Sequence, residues 1–321
     1  MKQNKRILFL GIGFYDYDLI IKESLEKNGY IVDYFCETPR YNFFYKIANK
    51  LHLNNFLKKY NSKYFNFIAE QCSDDYDFIF VIKGNLISKD ALNKIKVKNK
   101  KAKFILYLWD SIERVDNFKN INELFDKVYS FDRVDCINYK LEFKPLFYRD
   151  EYNSKTSKEI EKYDLFFIGW NHSDRLFLLE RIEGLMNDNK LKVKFLLFTS
   201  KINYFLNYFN NIRNKFLIYK TIKSKDVVKY SLESKAILDL SHPNQTGLTM
   251  RTIEVIFGLE KKLITTNKDI LNYDFYDENN ILVIDRDNLE IPKSFYNKKF
   301  NKYHKIRDKY YIDNWIKDFF I

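Results

Sequence analysis

Short apolar runs alternate along the chain with longer segments in which apolar residues recur every three or four positions. Residues 6–11 form the first run, and residues 16–28 follow with helical spacing and stop at Gly29. Continuous apolar runs of this length are typical of strands that a parallel sheet buries on both faces, and the segments between them predict crossover helices. The pattern therefore predicts an α/β protein with parallel sheets.

The apolar runs fall into two sets, separated by a polar, charged segment at 151–162 that we predict to be a linker. A chain of 321 residues is long enough for two cores. We therefore predict two Rossmann-like domains, 1–150 and 163–299, and a C-terminal helix over 300–321 that closes the chain. The predicted strands are 6–11, 30–35, 77–82, 103–108, 127–131, 143–147, 164–169, 192–198, 216–219, 236–240, 262–266 and 281–284.

Composition and charge narrow the class of protein. Hydrophobic residues make up 46% of the chain, which excludes wholesale disorder. The net charge of +12 comes from scattered basic residues that accompany no nucleic-acid motif, so nucleic acid is not a predicted partner. A positive surface suits an anionic nucleotide sugar or an acceptor on acidic lipid, and it serves solubility equally well.

The cysteines and the N-terminus indicate the compartment. Cys36, Cys72 and Cys136 are widely spaced and form neither a disulfide framework nor a metal-ligand pattern, which favours a reducing cytoplasm. We expect no signal peptide, because residues 1–6 lead straight into a strand. No apolar run approaches the roughly 20 residues that span a bilayer.

The segment 245–267 carries the clearest candidate chemistry. It predicts a loop, a helix and a buried strand in succession, at the carboxyl end of a preceding strand, where open α/β sheets bind ligands. Gly247 allows backbone to approach a ligand closely, and the helix would aim free amides at an anion. Arg251 and Glu254 lie three residues apart on that helix, a spacing that holds a phosphate and a sugar hydroxyl side by side.

Two neighbouring loops are predicted to line the same pocket. His242 and Gln245 lie in the loop just before the helix of Arg251. Gly169 ends the first strand of the second half, and Arg175 stands in the next helical turn, where it would grip a diphosphate. His172 lies between them, and a surface or hydrogen-bonded histidine is the more common reading than a catalytic one.

In the first half, Trp109 and Asp110 follow a central predicted strand. Asp110 would take a proton from an attacking hydroxyl, or alternatively form an Asx turn or cap the next helix. Trp109 offers an apolar face to a sugar ring. Lys83 lies at the equivalent end of another strand, where it would contact phosphate on the acceptor side or simply be solvated.

The first strand ends in Gly11-Ile-Gly13, which suggests a dinucleotide fingerprint. The third glycine of that fingerprint falls on Asp16, whose charge would repel a pyrophosphate, so NAD and FAD are excluded. Asp16 and Asp18 would either meet an acceptor hydroxyl as reserve bases or cap the helix that follows.

The segment 245–267 resembles the donor-binding segment of GT-B glycosyltransferases, which have two facing Rossmann-like domains and use nucleotide sugars. Glu254 matches the second glutamate of a motif in retaining members, which usually binds the ribose hydroxyls. Gly258 and residues 263–265 match the glycine and the apolar strand that come after this glutamate in the family. The first glutamate of that motif falls on Thr246, and this departure favours inversion over retention.

Together, segments 107–111, 126–132 and 245–267 look like a bacterial group that builds lipopolysaccharide or capsule and shades into the spore-maturation, CgeB-like transferases. The resemblance implies a cytoplasmic glycosyltransferase that passes sugar from a nucleotide-sugar donor on the C-terminal domain to a glycan or lipid-linked glycan on the N-terminal one. Peripheral contact with the inner membrane surface stays open.

No metal or other cofactor is expected. No ligand-spaced His, Cys or carboxylate accompanies His242, and no Asp-x-Asp element appears in the context that metal-dependent GT-A transferases use. Protein cations would then stabilise the leaving diphosphate. Two alternatives remain: a nucleotide-sugar epimerase of the same architecture, and a non-catalytic subunit that binds a partner enzyme.

Overall fold

The computed structural model describes residues 5–14, 16–37, 51, 53–153, 159–209, 214–243 and 245–320. The chain forms two compact units: Met1–Pro145 with Ile312–Ile321, and Leu146–Tyr311. The predicted linker therefore falls inside the second unit, and residues 154–158 of that linker lie outside the described ranges.

The first unit is built on strands and helices that alternate along the chain. Its elements are β1 (Arg6–Gly11), α1 (Tyr17–Lys27), β2 (Ile31–Cys36), α2 (Asn54–Gln71), β3 (Phe78–Ile82), α3 (Lys89–Lys98), β4 (Lys103–Leu108), α4 (Phe118–Ile121), β5 (Lys127–Ser130), α5 (Arg133–Tyr139) and β6 (Glu142–Phe143), with 3₁₀ turns at Ile112–Arg114 and Asn122–Leu124.

These strands form one parallel sheet in the order β2-β1-β3-β4-β5-β6. The central strands β1, β3 and β4 are buried along almost their whole length, as continuous apolar runs predict. Phe65 and Ile68 of α2 join Leu8 and Leu10 in the core on one face. On the opposite face, the rings of Phe80 and Phe319 lie 5.1 Å apart.

The second unit repeats this plan. Its elements are β7 (Tyr163–Trp170), α6 (Arg175–Asp188), β8 (Val193–Phe198), α7 (Lys201–Phe209), β9 (Leu217–Ile218), α8 (Ser224–Leu232), β10 (Ser234–Asp239), α9 (Met250–Ile253), β11 (Lys262–Thr265), β12 (Ile281–Val283) and α10 (Lys293–Asn297), with 3₁₀ turns at Asp150–Tyr152, Lys268–Asn272 and Arg307–Tyr310. These strands form a sheet in the order β12-β11-β10-β7-β8-β9, and every paired strand is parallel.

The predicted fold class, an α/β protein with two Rossmann-like parallel sheets, is confirmed. The predicted strand at 143–147 is shorter than expected, because pairing stops at Phe143 and Pro145 has no amide hydrogen to continue it.

The predicted helix over 300–321 is wrong. The described part of this segment has two 3₁₀ turns, Arg307–Tyr310 and Ile316–Phe320, and one short helix, α11 (Ile312–Trp315). Its apolar residues pack in two different cores. In the second unit the ring centres of Tyr310 and Phe257 stack 4.2 Å apart, and in the first unit those of Trp315 and Tyr107 lie 5.2 Å apart. The helical geometry therefore breaks at Tyr311, whose backbone is extended.

Two helical glycines of the second unit predict opposite effects of alanine. A Cβ on Gly258 would lie 2.8 Å from the Cβ of Tyr152 and 2.9 Å from its carbonyl oxygen, whereas one on Gly184 would meet nothing within 4 Å. We expect Gly258→Ala to lower the free energy of unfolding by about 2 kcal/mol, because backbone cannot move aside. Gly184→Ala should raise it by about 0.5–1 kcal/mol, since alanine favours the helix. Urea unfolding measures both, and a change of the same sign in both would contradict this packing.

Candidate functional site

The loop after β10 is held in place by a buried carboxylate. Asp239, the last residue of β10, accepts hydrogen bonds from the hydroxyls of Thr249 (2.8 Å) and Thr252 (2.7 Å). Thr249 in turn caps α9, because its oxygen accepts from the amide of Thr252. The start of the helix is thereby tied to the carboxyl end of a central strand.

The backbone of the same loop is fixed from the neighbouring strand. Asn267, which follows β11, donates its side-chain amide to the carbonyls of Thr246 (3.0 Å) and Gly247 (3.3 Å). Gln245 donates to the Gly247 carbonyl at 2.9 Å. The carbonyls of Thr246 and Gly247 are thereby fixed at the carboxyl edge of the second sheet.

The helix after this loop changes its geometry at Glu254. Its first turn, α9, is α-helical, and Glu254–Leu259 continue as a π-helix. Such π segments are often found at functional sites. The predicted helix is confirmed, and Glu254 is only 2% exposed.

The pKa of Tyr152 is affected by charged side chains of this helix. Burial raises the pKa of Tyr152, the negative charge of Glu254 raises it further, and the positive charges of Arg251 and Arg149 oppose them. The Arg149 guanidinium lies 5.6 Å from the Tyr152 ring centre and donates to Ser224 at 3.1 Å. Glu254, Arg251 and Arg149 therefore all lie close enough to Tyr152 for their charges to act on it. A carboxylate can accept from a ligand hydroxyl, and guanidiniums bind phosphate.

Arg175 is bound to backbone in a way that the sequence did not predict. It donates from Nε to the carbonyl of Leu240 and from Nη1 to that of Trp170, each at 3.0 Å. Gly169 makes room for it, because a Cβ there would lie 3.1 Å from Nη1 of Arg175. The guanidinium thus joins the ends of β7 and β10, and its contact with a diphosphate stays a prediction.

A second arginine, Arg286, was missed by sequence reasoning. It donates to both oxygens of Asp174 at 2.7 Å, to the carbonyl of Ser241 and to the hydroxyl of Thr266 at 3.2 Å. The available signal was its position three residues after β12, at the same edge of the sheet. Arg286 therefore braces the loops that follow β7, β10 and β11.

Two histidines meet at this edge. The ring centres of His172 and His242 are 5.6 Å apart, and Nδ1 of His172 lies 3.1 Å from the hydroxyl of Ser173. The predicted donor residues lie at the end of β7, at the start of α6, in the loop after β10 and on the helix that follows this loop. They are Gly169, Arg175, His242, Gln245, Thr246, Gly247, Arg251 and Glu254.

At the carboxyl edge of the first sheet, Asp110 forms an ion pair. Its Oδ2 lies 2.7 Å from Nζ of Lys83, and both side chains are about 30% exposed. The predicted alternative, that Asp110 forms an Asx turn or caps the next turn, is wrong. The amide of Ile112, which an Asx turn would use, donates to Asp135, and the turn Ile112–Arg114 has no side-chain cap. Trp109 is half-buried, with its ring centre 5.6 Å from that of Tyr17. Asp110 therefore retains solvent access beside a cation and an aromatic ring.

Asp18 has a structural role that argues against its prediction as a reserve base. Its carboxylate accepts from the amides of Ile12 (3.1 Å) and Gly13 (2.6 Å) and from the hydroxyl of Tyr34 (2.8 Å). The side chain is buried, and a Cβ on Gly11 would lie 2.4 Å from its Cγ. Burial raises the pKa of Asp18. Asp16 lies at the N-cap position of α1, half-buried, and its role as a base stays a prediction.

Glu37 is a second carboxylate that sequence reasoning missed. It directly follows β2, is 2% exposed and accepts a hydrogen bond from the amide of Leu86. Burial raises the pKa of Glu37 to about 7, against the hydrogen bonds from Leu86, Ile87 and Gly84 and the charge of Lys83. Glu37 therefore supports the loop after β3 in which Lys83 reaches Asp110.

This raised pKa predicts a loss of stability as the pH rises. The unfolded state loses the Glu37 proton near pH 4.5 and the folded state near pH 7, so stability falls through this window. The penalty above pH 7 is about 3 kcal/mol. Urea unfolding across the window should show a shallower pH dependence for Glu37→Gln, which cannot ionise. Equal slopes in the variant and the original chain would contradict the assignment.

Neither a metal centre nor a membrane-spanning helix is found among the described residues. No group of three or more His, Cys, Asp or Glu side chains within the described ranges is placed to hold a metal ion, and metal independence stays a prediction. Among the helices that the structure describes, none combines the length and apolarity needed to cross a membrane.

Comparison with known proteins gives matches at the level of structure only. No protein-family model and no curated protein matches the chain. The Anabaena protein HepE, solved with UDP and glucose, matches with a TM-score of 0.58 and 11% identity, over 98% of this chain and 94% of that one. AviGT4, a glycosyltransferase involved in avilamycin A biosynthesis, matches with a TM-score of 0.59 and 9% identity, over 98% and 95%.

A third solved structure has a different activity. The UDP-GlcNAc 2-epimerase from Neisseria meningitidis, bound to UDP-GlcNAc, matches with a TM-score of 0.51 and 9% identity, over 98% of both chains. Identities this low are evidence of a shared fold alone. The chain therefore has the two-domain α/β fold of GT-B glycosyltransferases, a fold that such epimerases share.

Proposed function

We propose that the protein is a glycosyltransferase that moves a sugar from a nucleotide-sugar donor to a hydroxyl of a growing surface glycan, such as lipopolysaccharide or capsule. The observation that carries the proposal is the carboxyl edge of the second sheet. There, a loop fixed by Asp239 and Asn267 leads into the helix of Arg251 and Glu254. Parallel α/β sheets bind their ligands at that edge.

In this proposal the second unit binds the donor. Glu254 accepts hydrogen bonds from the ribose hydroxyls, and Arg251 offsets the charge of the diphosphate. The amides of the fixed loop around Gly247 approach the phosphates, while His242 lines the pocket beside them. HepE was solved with UDP and AviGT4 is a glycosyltransferase, and their shared fold supports a donor of the same class.

The first unit supplies the base and the acceptor side. Asp110 takes the proton of the acceptor hydroxyl as its oxygen bonds to the anomeric carbon, and Trp109 offers a face to the acceptor sugar. The bond from that carbon to the diphosphate breaks, and the nucleoside diphosphate leaves with the electron pair. One attack from the opposite side inverts the anomeric centre. Nζ of Lys83 lies 2.7 Å from Oδ2 of Asp110 and positions this carboxylate.

We expect the transfer to need no metal ion or other cofactor, because protein cations stabilise the leaving diphosphate. The acceptor is a glycan or a lipid-linked glycan in the cytoplasm, reached at the inner membrane surface. Nucleic acid is not an expected partner.

An epimerase is the second candidate function, because the Neisseria 2-epimerase shares the fold. The test incubates the full chain with UDP-, GDP-, CMP- and dTDP-sugars, with and without lipid-linked glycan acceptors. A transferase releases nucleotide faster when acceptor is present, whereas an epimerase converts the donor sugar without one, which NMR detects. No consumption under either condition would contradict both and favour a non-catalytic subunit.

A further inference from the structure

The sequence between Glu37 and Glu70 is unusual in its charge. Residues 38–69 contain six basic residues and no acidic one, so this tenth of the chain carries half of the net charge of +12. Such a stretch attracts an anionic surface, and it contains no negatively charged side chain that would repel one. The basic residues are Arg40, Lys46, Lys50, Lys58, Lys59 and Lys63.

In the described part of this stretch, the residues that join the core lie toward the C-terminal end of α2. The second half of α2 packs on the first sheet through Phe65, Ile68 and Ala69, and Tyr64 donates to the carbonyl of Cys36 at 2.8 Å. The first half, counted here up to Lys63, behaves differently: among residues 51–63 whose side chains the structure describes, none is buried. The described side chains in the N-terminal turns of α2 therefore lie outside the core and are accessible to solvent.

Apolar and basic side chains lie together in this exposed half. Leu51, Leu53 and Phe56 are 61%, 49% and 47% exposed, and Phe56 stacks on Tyr60 with ring centres 6.4 Å apart. The lysines of the same half are also exposed: Lys58, Lys59 and Lys63. Leucine and phenylalanine next to lysines are the combination with which interfacial helices enter the headgroup region of anionic membranes.

We propose that the first half of α2, with Leu51 and Leu53 before it, docks the protein on an anionic lipid bilayer. The apolar side chains enter the boundary between headgroups and acyl chains, and the lysines bind lipid phosphates. A bilayer fits better than an acidic protein, because the basic residues extend along the chain without any acidic residue that would select one register. This docking surface would be the site of the membrane contact that the proposed function includes. Only the identity of the acceptor depends on the proposed function itself.

The test uses the full chain and needs neither donor nor acceptor, so its failure is separable from failure of the transfer assay. The chain should sediment with vesicles of equimolar phosphatidylcholine and phosphatidylglycerol, and not with pure phosphatidylcholine. Combined replacement of Lys58, Lys59 and Lys63 by glutamine should lower the partition coefficient about a hundredfold. Leu53→Ser with Phe56→Ser should lower it about tenfold.

Matched variants of the same unit provide the controls. Lys89, Lys100 and Lys101 are exposed and change the net charge equally when replaced by glutamine. Val97 and Ile137 are 70% and 73% exposed and control for the serine changes. Both control variants should keep full binding. No sedimentation of the original chain, or an equal loss in the control variants, would overturn the proposed surface.

Discussion

Replacing Asp110 by asparagine is expected to slow sugar transfer about a thousandfold while leaving donor affinity unchanged. Asparagine has the size of aspartate but cannot accept the proton of the acceptor hydroxyl. The ion pair with Lys83 is about 30% exposed on both sides, so its loss should alter the free energy of unfolding by less than about 1 kcal/mol. Steady-state kinetics should therefore show a fall in kcat with little change in the donor KM.

Asp116→Asn is the matched control, because Asp116 is an exposed aspartate of the same unit. It should retain full activity and the same thermal midpoint as the original chain. A loss of activity in Asp110→Asn no larger than in this control would assign the base elsewhere, with Asp16 the next residue to replace.

Replacing Glu254 by alanine is expected to weaken binding of the nucleotide donor several-hundredfold, or about 3–4 kcal/mol. The buried carboxylate would be lost from the helix that carries Arg251, and the ribose hydroxyls would have no acceptor there. Glu254→Gln keeps the shape of the side chain and one acceptor oxygen, so it should fall between the original chain and the alanine variant. Calorimetric titration with the nucleotide measures all three.

The control is Glu290→Ala, which removes an exposed carboxylate of the same unit. Because Glu254 is 2% exposed, the alanine change should also lower the thermal midpoint, and the glutamine variant separates that effect from binding. Donor affinity unchanged in both Glu254 variants would remove the central residue of the proposed donor site.

The fold was predictable because strands that a sheet buries on both faces are continuous apolar runs in the sequence. β1, β3 and β4 are continuous apolar runs, and the glycine after α1 marks where the helix ends. The C-terminal segment was not predictable in the same way. Its apolar residues belong to two cores, and a helical spacing of residues does not reveal which core each one joins.

The candidate site was predictable in position but less so in its contacts. Strand ends and the loop before Arg251 indicated the edge of the sheet, since parallel strands end together. Folding brings the hydrogen-bond partners of Arg175 and Asp18 from distant parts of the sequence. Arg175 donates to the carbonyl of Leu240, 65 positions away, and Asp18 accepts from the hydroxyl of Tyr34, 16 positions away. Glu37 gave no local signal, because its partner amides lie in the loop after β3.

The central claim is that a nucleotide binds at the carboxyl edge of the second sheet. Hydrogen–deuterium exchange of the full chain, with and without UDP, GDP, CDP and dTDP in turn, tests it most directly. We predict that one nucleotide slows exchange of amides in residues 239–259, where the loop and the helix of Glu254 lie. Protection confined to the first unit, or no protection with any of the four, would contradict it.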